Sequence, residues 1–281
     1  MNKEEFYKSI TSKFVVPQTK TDIVYAAYQI KKPVIITGNP GTGKTSFSKL
    51  VGLALSSGFE RLQCFNGISY EHTIGEWNYQ KQLLEIQARS SKNIFTNEFF
   101  IPRPLLRAVN IGKTILIDEV NRGDEEFQNL LLETIDERQV SIPEMGTVKA
   151  NDGFFVVMTA NINDPGTVEL SSALLRRCIR IHFEYPDFET EKQIVTMNVP
   201  DAKNMLVNQI VELVRNIRKN NKLRYPPSPS DSITWTKLII ELFGKDVEKA
   251  TDNQLEKTYQ AISKTENDDK SFENAALNKT N

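Results

Sequence analysis

From position 38 to 46 the chain reads GNPGTGKTS, a run whose residue types and spacing suit a string of phosphates. Glycines at 38, 41 and 43 let the backbone bend until its N–H groups point inward, where side chains would otherwise fill the space needed by phosphate oxygens. Lys44 brings a positive charge for the β- and γ-phosphates, and the Thr45 hydroxyl suits Mg²⁺. The pattern G-x-x-x-x-G-K-[ST] needs a strand before it and a helix after it. VIIT precedes it here and a helical pattern opens near Lys44, so the helix N-terminus adds partial positive charge. In this context an ordinary glycine-rich turn is the weaker reading. Gly38, Asn39, Pro40, Gly41, Thr42, Gly43, Lys44, Thr45 and Ser46 are the candidate contacts to a nucleoside triphosphate.

Two carboxylates, Asp118 and Glu119, follow the apolar run TILI. Acids at the end of a buried strand cost desolvation unless a cation or a donor meets them, and ligand sites collect at such strand ends. Asp118 is placed to hold Mg²⁺, directly or through water, and Glu119 to polarise an attacking water. The run FFVVMT delivers Thr159, Ala160 and Asn161 in the same way. The Asn161 amide can donate to a γ-phosphate and accept from water, although alone it reads equally well as a turn residue before NDPG. Arg176, Arg177 and Arg180 lie between ALL and IRIHF. Such a run is ordinarily a solvated face, but a guanidinium there could reach the γ-phosphate of a neighbouring subunit.

These residues need a scaffold. Short apolar, β-rich runs at 34–37, 62–65, 114–117, 154–159 and 179–183 alternate with helical patterns, which predicts an α/β fold with a five-stranded parallel sheet sandwiched by helices. Ile23, Ala26, Ala27 and Ile30 predict a helix capped at Thr21 or Asp22 and ended by Pro33. Past YPDFETE no strand run recurs. Met205, Leu206, Ile210, Leu213, Val214 and Ile217 form one helical stripe, PPSPS at 226–230 breaks it, and Ile233, Leu238, Ile239 and Leu242 form a second. The expected division is a nucleotide-binding domain over 1–188, a helical lid over 189–263 with a last helix at about 253–262, and a polar, disordered tail over 264–281.

Composition narrows the function. With 39% hydrophobic and 25% charged residues, no stretch approaches the apolar length that spans a bilayer. The opening MNKEEFYKSITSK reads as a short amphipathic helix and not a secretory signal, so the cytoplasm is the expected location. A net charge of −1 offers no long-range attraction for a polyanion, which argues against nucleic acid while leaving a local basic pore open. Cys64 and Cys178 sit in apolar runs and read as buried thiols. His72 and His182 have no Cys or His at ligand spacing, so no metal beyond a nucleotide-bound ion is assigned.

Over about 15–243 the chain resembles the MoxR branch of the AAA+ ATPases, and within it the accessory ATPases of carbon monoxide dehydrogenase and related molybdenum hydroxylases. The likeness is carried by the order of GNPGTGKT, RLQCFNGIS, EWNYQKQLLEIQA, RPLLRAV, ILIDEVNRGDEEFQNLLLETIDERQVSIPE, ALLRRCIRIHFEYPDFETE and PPS…ITW. It implies an ATPase that uses ATP and Mg²⁺, works as a homo-hexameric ring and remodels or matures a client enzyme, with a von Willebrand factor A domain protein as partner. It also implies that Asn161 is sensor 1 and that Arg177, with Arg176 as the alternative, is the trans-acting arginine finger. Ser230 stands where many AAA+ proteins carry a sensor 2 arginine. The segment 67–88, with Trp77 and Tyr79, faces a ring pore or a client, or packs its aromatics on the sheet. A nucleic-acid motor, a restriction-system subunit and a nucleotide-dependent switch are the competing functions.

Overall fold

The computed structural model describes residues 2–55, 58–88, 92–162, 164, 166–220, 223–266, 268–269 and 272. Its strands are β1 (Val34–Gly38), β2 (Phe59–Gln63), β3 (Gly75–Trp77), β4 (Phe100–Pro102), β5 (Thr114–Asp118), β6 (Gln139–Ile142), β7 (Gly146–Lys149), β8 (Phe155–Asn161) and β9 (Ile179–Phe183). Five of them form the expected parallel sheet, in the order β2-β5-β8-β1-β9. β1 and β5 are buried along their whole length and β8 at every residue but the last, which is why these strands stand out as unbroken apolar runs. Ile35, Ile36 and Val157 have no exposed surface, and each such side chain contributes about 2 kcal/mol by leaving water.

Register then sets the site. Gln63 lies opposite Asp118 and Gly38 opposite Asn161, so β2 ends level with β5 and β1 with β8, while the β5–β8 register (Ile117 opposite Met158) carries β8 two residues past the end of β5. The helices Lys44–Leu55 and Pro104–Ile111 pack on this sheet, the first against β1, β2, β5 and β8 and the second against β2 and β5.

The described residues divide into two compact units, the first within 2–10, 16–38 and 44–182 and the second within 11–15, 39–43 and 183–272. The second unit is helical, with Phe188–Asn198, Asn204–Arg218, Pro229–Phe243 and Asp252–Glu256 around Leu206, Ile210, Val214, Trp235 and Ile239. Asn204–Arg218 buries the expected stripe except Met205, which is exposed, and Leu213, which is half-buried.

Several sequence expectations change. The second strand occupies 59–63 and not 62–65, because as an edge strand it buries only Leu62 fully, carries the charged Glu60 and Arg61, and so lacks an apolar run. The helix expected from Thr21 begins at Gln18 after Pro17, and it buries Thr21, Val24 and Ala27 while Ile23 and Ile30 stay exposed. The antiparallel pairs β3–β4 and β6–β7 were not foreseen, since strands of three or four residues show no usable periodicity. The last lid helix is broken into Asp252–Glu256 and a 3₁₀ turn, Tyr259–Ala261. In the stretch expected to be a disordered tail, Lys264 pairs with Asp231, Asp268 accepts from the Arg224 N–H, and Phe272 is buried in the helical core. Residues 273–281 of that stretch lie outside the described residues.

Trp77 packs edge-on against Phe95 and Phe100, whereas Tyr79 is 72% exposed. Cys64 is buried and Cys178 half-buried, and burial pushes the Cys178 thiol up to about 12. No helix among the described residues is long and apolar enough to cross a membrane.

Candidate functional site

In the first unit, β1 ends at Gly38 and the helix Lys44–Leu55 starts at the lysine itself. Lys44 is 6% exposed, and its Nζ donates to the Gly38 carbonyl at 3.0 Å. Burial pushes the Lys44 amine down to about 8, against the upward pull of Glu119, Asp118 and Asp164. A cation this poorly solvated is suited to gain from an arriving polyanion.

Asp118, at the end of β5, is 2% exposed, and both of its oxygens accept hydrogen bonds. Its Oδ1 accepts from Thr45 Oγ1 at 2.8 Å and from Thr159 Oγ1 at 2.6 Å, and its Oδ2 from Arg61 Nη2 at 2.6 Å. Thr159 in turn accepts from the Glu119 N–H at 2.9 Å, which ties the ends of β5 and β8 together. A hydroxyl and a carboxylate side by side are hard oxygen donors that fit Mg²⁺, an ion that keeps several waters and takes few protein ligands. Among the described residues no group of three or more His, Cys, Asp or Glu could hold a metal ion without outside ligands.

Glu119 leaves the strand end in a left-handed conformation, φ 55° and ψ 50°. Its Oε1 accepts from Asn161 Nδ2 at 3.0 Å, and its Oε2 from Arg122 Nε and, at 3.4 Å, from Gln63 Nε2. Arg122 Nη2 also donates to Asp164 Oδ2 at 2.7 Å. The Asn121 side chain brackets the Asn161 backbone, donating to its carbonyl and accepting from its N–H. Lys44, Thr45, Asp118, Glu119 and Asn161, the residues singled out in the sequence, therefore lie together in the structure.

Five participants escaped sequence reasoning: Arg61, Gln63, Asn121, Arg122 and Asp164. Arg61 and Gln63 alternate on one strand within RLQC, and Arg122 lies three residues beyond Glu119, so spacing offered a signal once β2 had its correct register.

The arginine run disperses. Arg177 forms an ion pair with Asp136 through Nε and caps the Ala173 carbonyl through Nη1 at 2.9 Å. Arg180 Nε donates to Thr37 Oγ1 at 3.0 Å. Arg176 is exposed, with no ion pair among the described residues.

The loop residues Asn39–Gly43 cluster with the second unit. Gly41 has φ +72°, and a Cβ there would stand 2.1 Å from Ser228 Oγ, so this position admits no side chain without movement. Ser230 Oγ donates to the Gly41 carbonyl at 3.1 Å, a contact that an arginine would not make in the same way. Pro40 and Ser46 are exposed.

Comparison with known proteins adds kinship to this geometry. Residues 33–178, just over half of the 281, match the AAA domain of the dynein-related subfamily. The chain is 25% identical over 205 residues to the uncharacterized protein SH1500 of Staphylococcus haemolyticus, covering 70% of this chain and 72% of that one. It is 26% identical over 233 residues to the uncharacterized protein YehL of Escherichia coli, covering 76% of this chain and 62% of YehL, less than two thirds of that protein's length. A crystal structure from Cytophaga hutchinsonii, described as a candidate ATPase, shares the fold with a TM-score of 0.51 at 18% identity, over 99% of this chain and 94% of that one. The matched segment contains the phosphate loop, both carboxylates and Asn161, and the chain belongs to the AAA domain family, in its dynein-related branch.

Proposed function

We propose that this protein is a magnesium-dependent ATPase whose turnover drives the remodelling or maturation of a partner protein. The observation that carries the ATPase reading is the convergence of Lys44, Thr45, Asp118, Glu119 and Asn161 at the C-terminal ends of the neighbouring strands β1, β5 and β8. In this reading, residues 38–46 bind the triphosphate, with Lys44 leaving the Gly38 carbonyl for the β- and γ-phosphates. Thr45 and Asp118 hold Mg²⁺, which neutralises phosphate charge when bound. Glu119 accepts a proton from the attacking water, and Asn161 orients Glu119 and the γ-phosphate.

The site is completed in trans by a guanidinium from the Arg176–Arg177 pair. Arg177 would first have to leave Asp136, whereas Arg176 is already solvent-exposed; this favours Arg176 over the residue that the family resemblance prefers. Assembly as a homo-hexamer follows from that shared site and from the MoxR resemblance. So does a client enzyme with a von Willebrand factor A domain partner, and the net charge of −1 supports a protein client over a nucleic acid.

The test is hydrolysis of ATP by the purified chain with and without Mg²⁺, beside two variants. Lys44→Ala should weaken ATP binding by about a hundredfold or more, because a charge-assisted donor is lost. Glu119→Gln should retain binding and lose about a hundredfold or more in rate, because the amide keeps the shape without the base. Wild-type affinity in Lys44→Ala by titration calorimetry, or a wild-type rate in Glu119→Gln, would remove these residues from the site.

A further inference from the structure

The conformation of Glu119 raises a question that its proposed role as base does not answer. A non-glycine residue in the left-handed region carries backbone strain and persists only where its surroundings hold it. Here that backbone turns the carboxylate across the strand end, toward β8. Asn161 holds Oε1 and Arg122 holds Oε2, so both oxygens are located from opposite sides. Arg122 is itself fixed at a second point by Asp164, which follows β8, through the other arm of its planar fork. The chain Glu119–Arg122–Asp164 thus runs from the end of one central strand to the loop after the next.

Stability does not account for this arrangement. The Arg122, Glu119 and Asp164 side chains are 35%, 30% and 19% exposed, and ion pairs open to water to this degree contribute about 1 kcal/mol or less. Arg122 is also not in the hydrophobic core, and its guanidinium donates to the two carboxylates. A carboxylate has roughly four acceptor positions. Asn161, Arg122 and Gln63 occupy three of them, which leaves one for a water.

We propose that Arg122 is a positioning residue for the proposed general base Glu119, with Asp164 as its anchor. The inference rests on the ATPase reading and deepens it. Arg122 orients the carboxylate so that its remaining lone pair meets the attacking water. Loss of the guanidinium leaves Oε2 with only the 3.4 Å contact from Gln63 and lets the strained backbone relax. Misplacing a catalytic group by about 1 Å costs on the order of a hundredfold in rate, and the effect falls on the chemical step rather than on binding.

The experiment compares wild type, Arg122→Ala, Arg122→Lys, Asp164→Asn, Glu119→Gln and the double variant Glu119→Gln/Arg122→Ala. ATP affinity is measured with a fluorescent ATP analogue, and rate by single-turnover hydrolysis. Arg122→Ala should lose about ten- to a hundredfold in rate with affinity within about twofold of wild type. Arg122→Lys should recover part of the rate, because one ammonium can reach Glu119 or Asp164 but cannot fork between them. Asp164→Asn should fall by less than Arg122→Ala. The double variant should hydrolyse no more slowly than Glu119→Gln alone, because a residue that acts through Glu119 has nothing left to position.

An unchanged rate in Arg122→Ala, equal losses of affinity and rate in both Arg122 variants, or a further full loss in the double variant would each overturn the inference. The reading beneath it fails differently. Absent hydrolysis by wild type, or a wild-type rate in Glu119→Gln, defeats the ATPase reading, and this inference with it. Active wild type, inactive Glu119→Gln and undiminished Arg122→Ala defeat this inference alone.

Discussion

Asp118 in the first unit and Glu191 in the second are both buried, at 2% and 0% exposure, and both are met by an arginine and a hydroxyl. Their surroundings differ in whether the arginine can leave. Arg218 grips both oxygens of Glu191 at 2.9 and 2.8 Å, donates to the Pro227 carbonyl and lies over the Tyr185 ring. Its side chain is 9% exposed, so the pair is sealed from water. Arg61 touches Asp118 through one nitrogen, is 42% exposed, and shares the carboxylate with two rotatable hydroxyls. A sealed pair must remain intact because either charge alone would be uncompensated. An open pair can exchange its arginine for a hydrated cation with little reorganisation.

Arg218→Ala should have the largest effect. Leaving Glu191 buried without its fork should cost about 3–5 kcal/mol in urea unfolding. A loss below about 1 kcal/mol would mean that Arg215, 3.6 Å from Glu191, or water suffices, and the comparison would collapse.

Asp118→Asn should separate function from stability. Hydrolysis should fall by about a hundredfold, equivalent to about 2.7 kcal/mol, while the thermal midpoint stays near that of wild type because the freed Arg61 remains solvated. Destabilisation as large as that of Arg218→Ala would show that Asp118 is as structural as Glu191.

Arg61→Ala is the finest probe. With the arginine half in water, stability should change by about 1 kcal/mol or less, and the Mg²⁺ concentration for half-maximal ATP binding should fall by less than about fivefold. A rise in that concentration would mean that Arg61 assists the metal and does not compete with it.

Much of this site was legible before any coordinates. The phosphate loop could be read because its geometry is local: glycine positions, a lysine and a hydroxyl within nine residues dictate the turn. Asp118 and Asn161 could be read because central strands are unbroken apolar runs, so the first polar residues after them must lie at the strand ends. The arginine run was legible as a cluster but not as a constellation. Arg176 and Arg177 are consecutive on a helix and point in different directions, to solvent and to Asp136, while Arg180 has passed onto β9 and donates to Thr37.

The amino-acid sequence by itself determined the α/β class, the identity of the phosphate loop and the two strand-end carboxylates, since each follows from periodicity or from steric demands within a few residues. Only the tertiary structure decided which partners those groups have. Arg61 and Asp118 are 57 residues apart, and Arg122 and Asp164 are 42 apart. That Gly41 must lack a side chain is set by Ser228, far along the chain. Such pairs depend on strand register and on the burial of edge residues, and a one-residue slip would turn each side chain to the opposite face. Periodicity records how a segment is buried, whereas the neighbour that meets it is chosen by the packing of the whole unit.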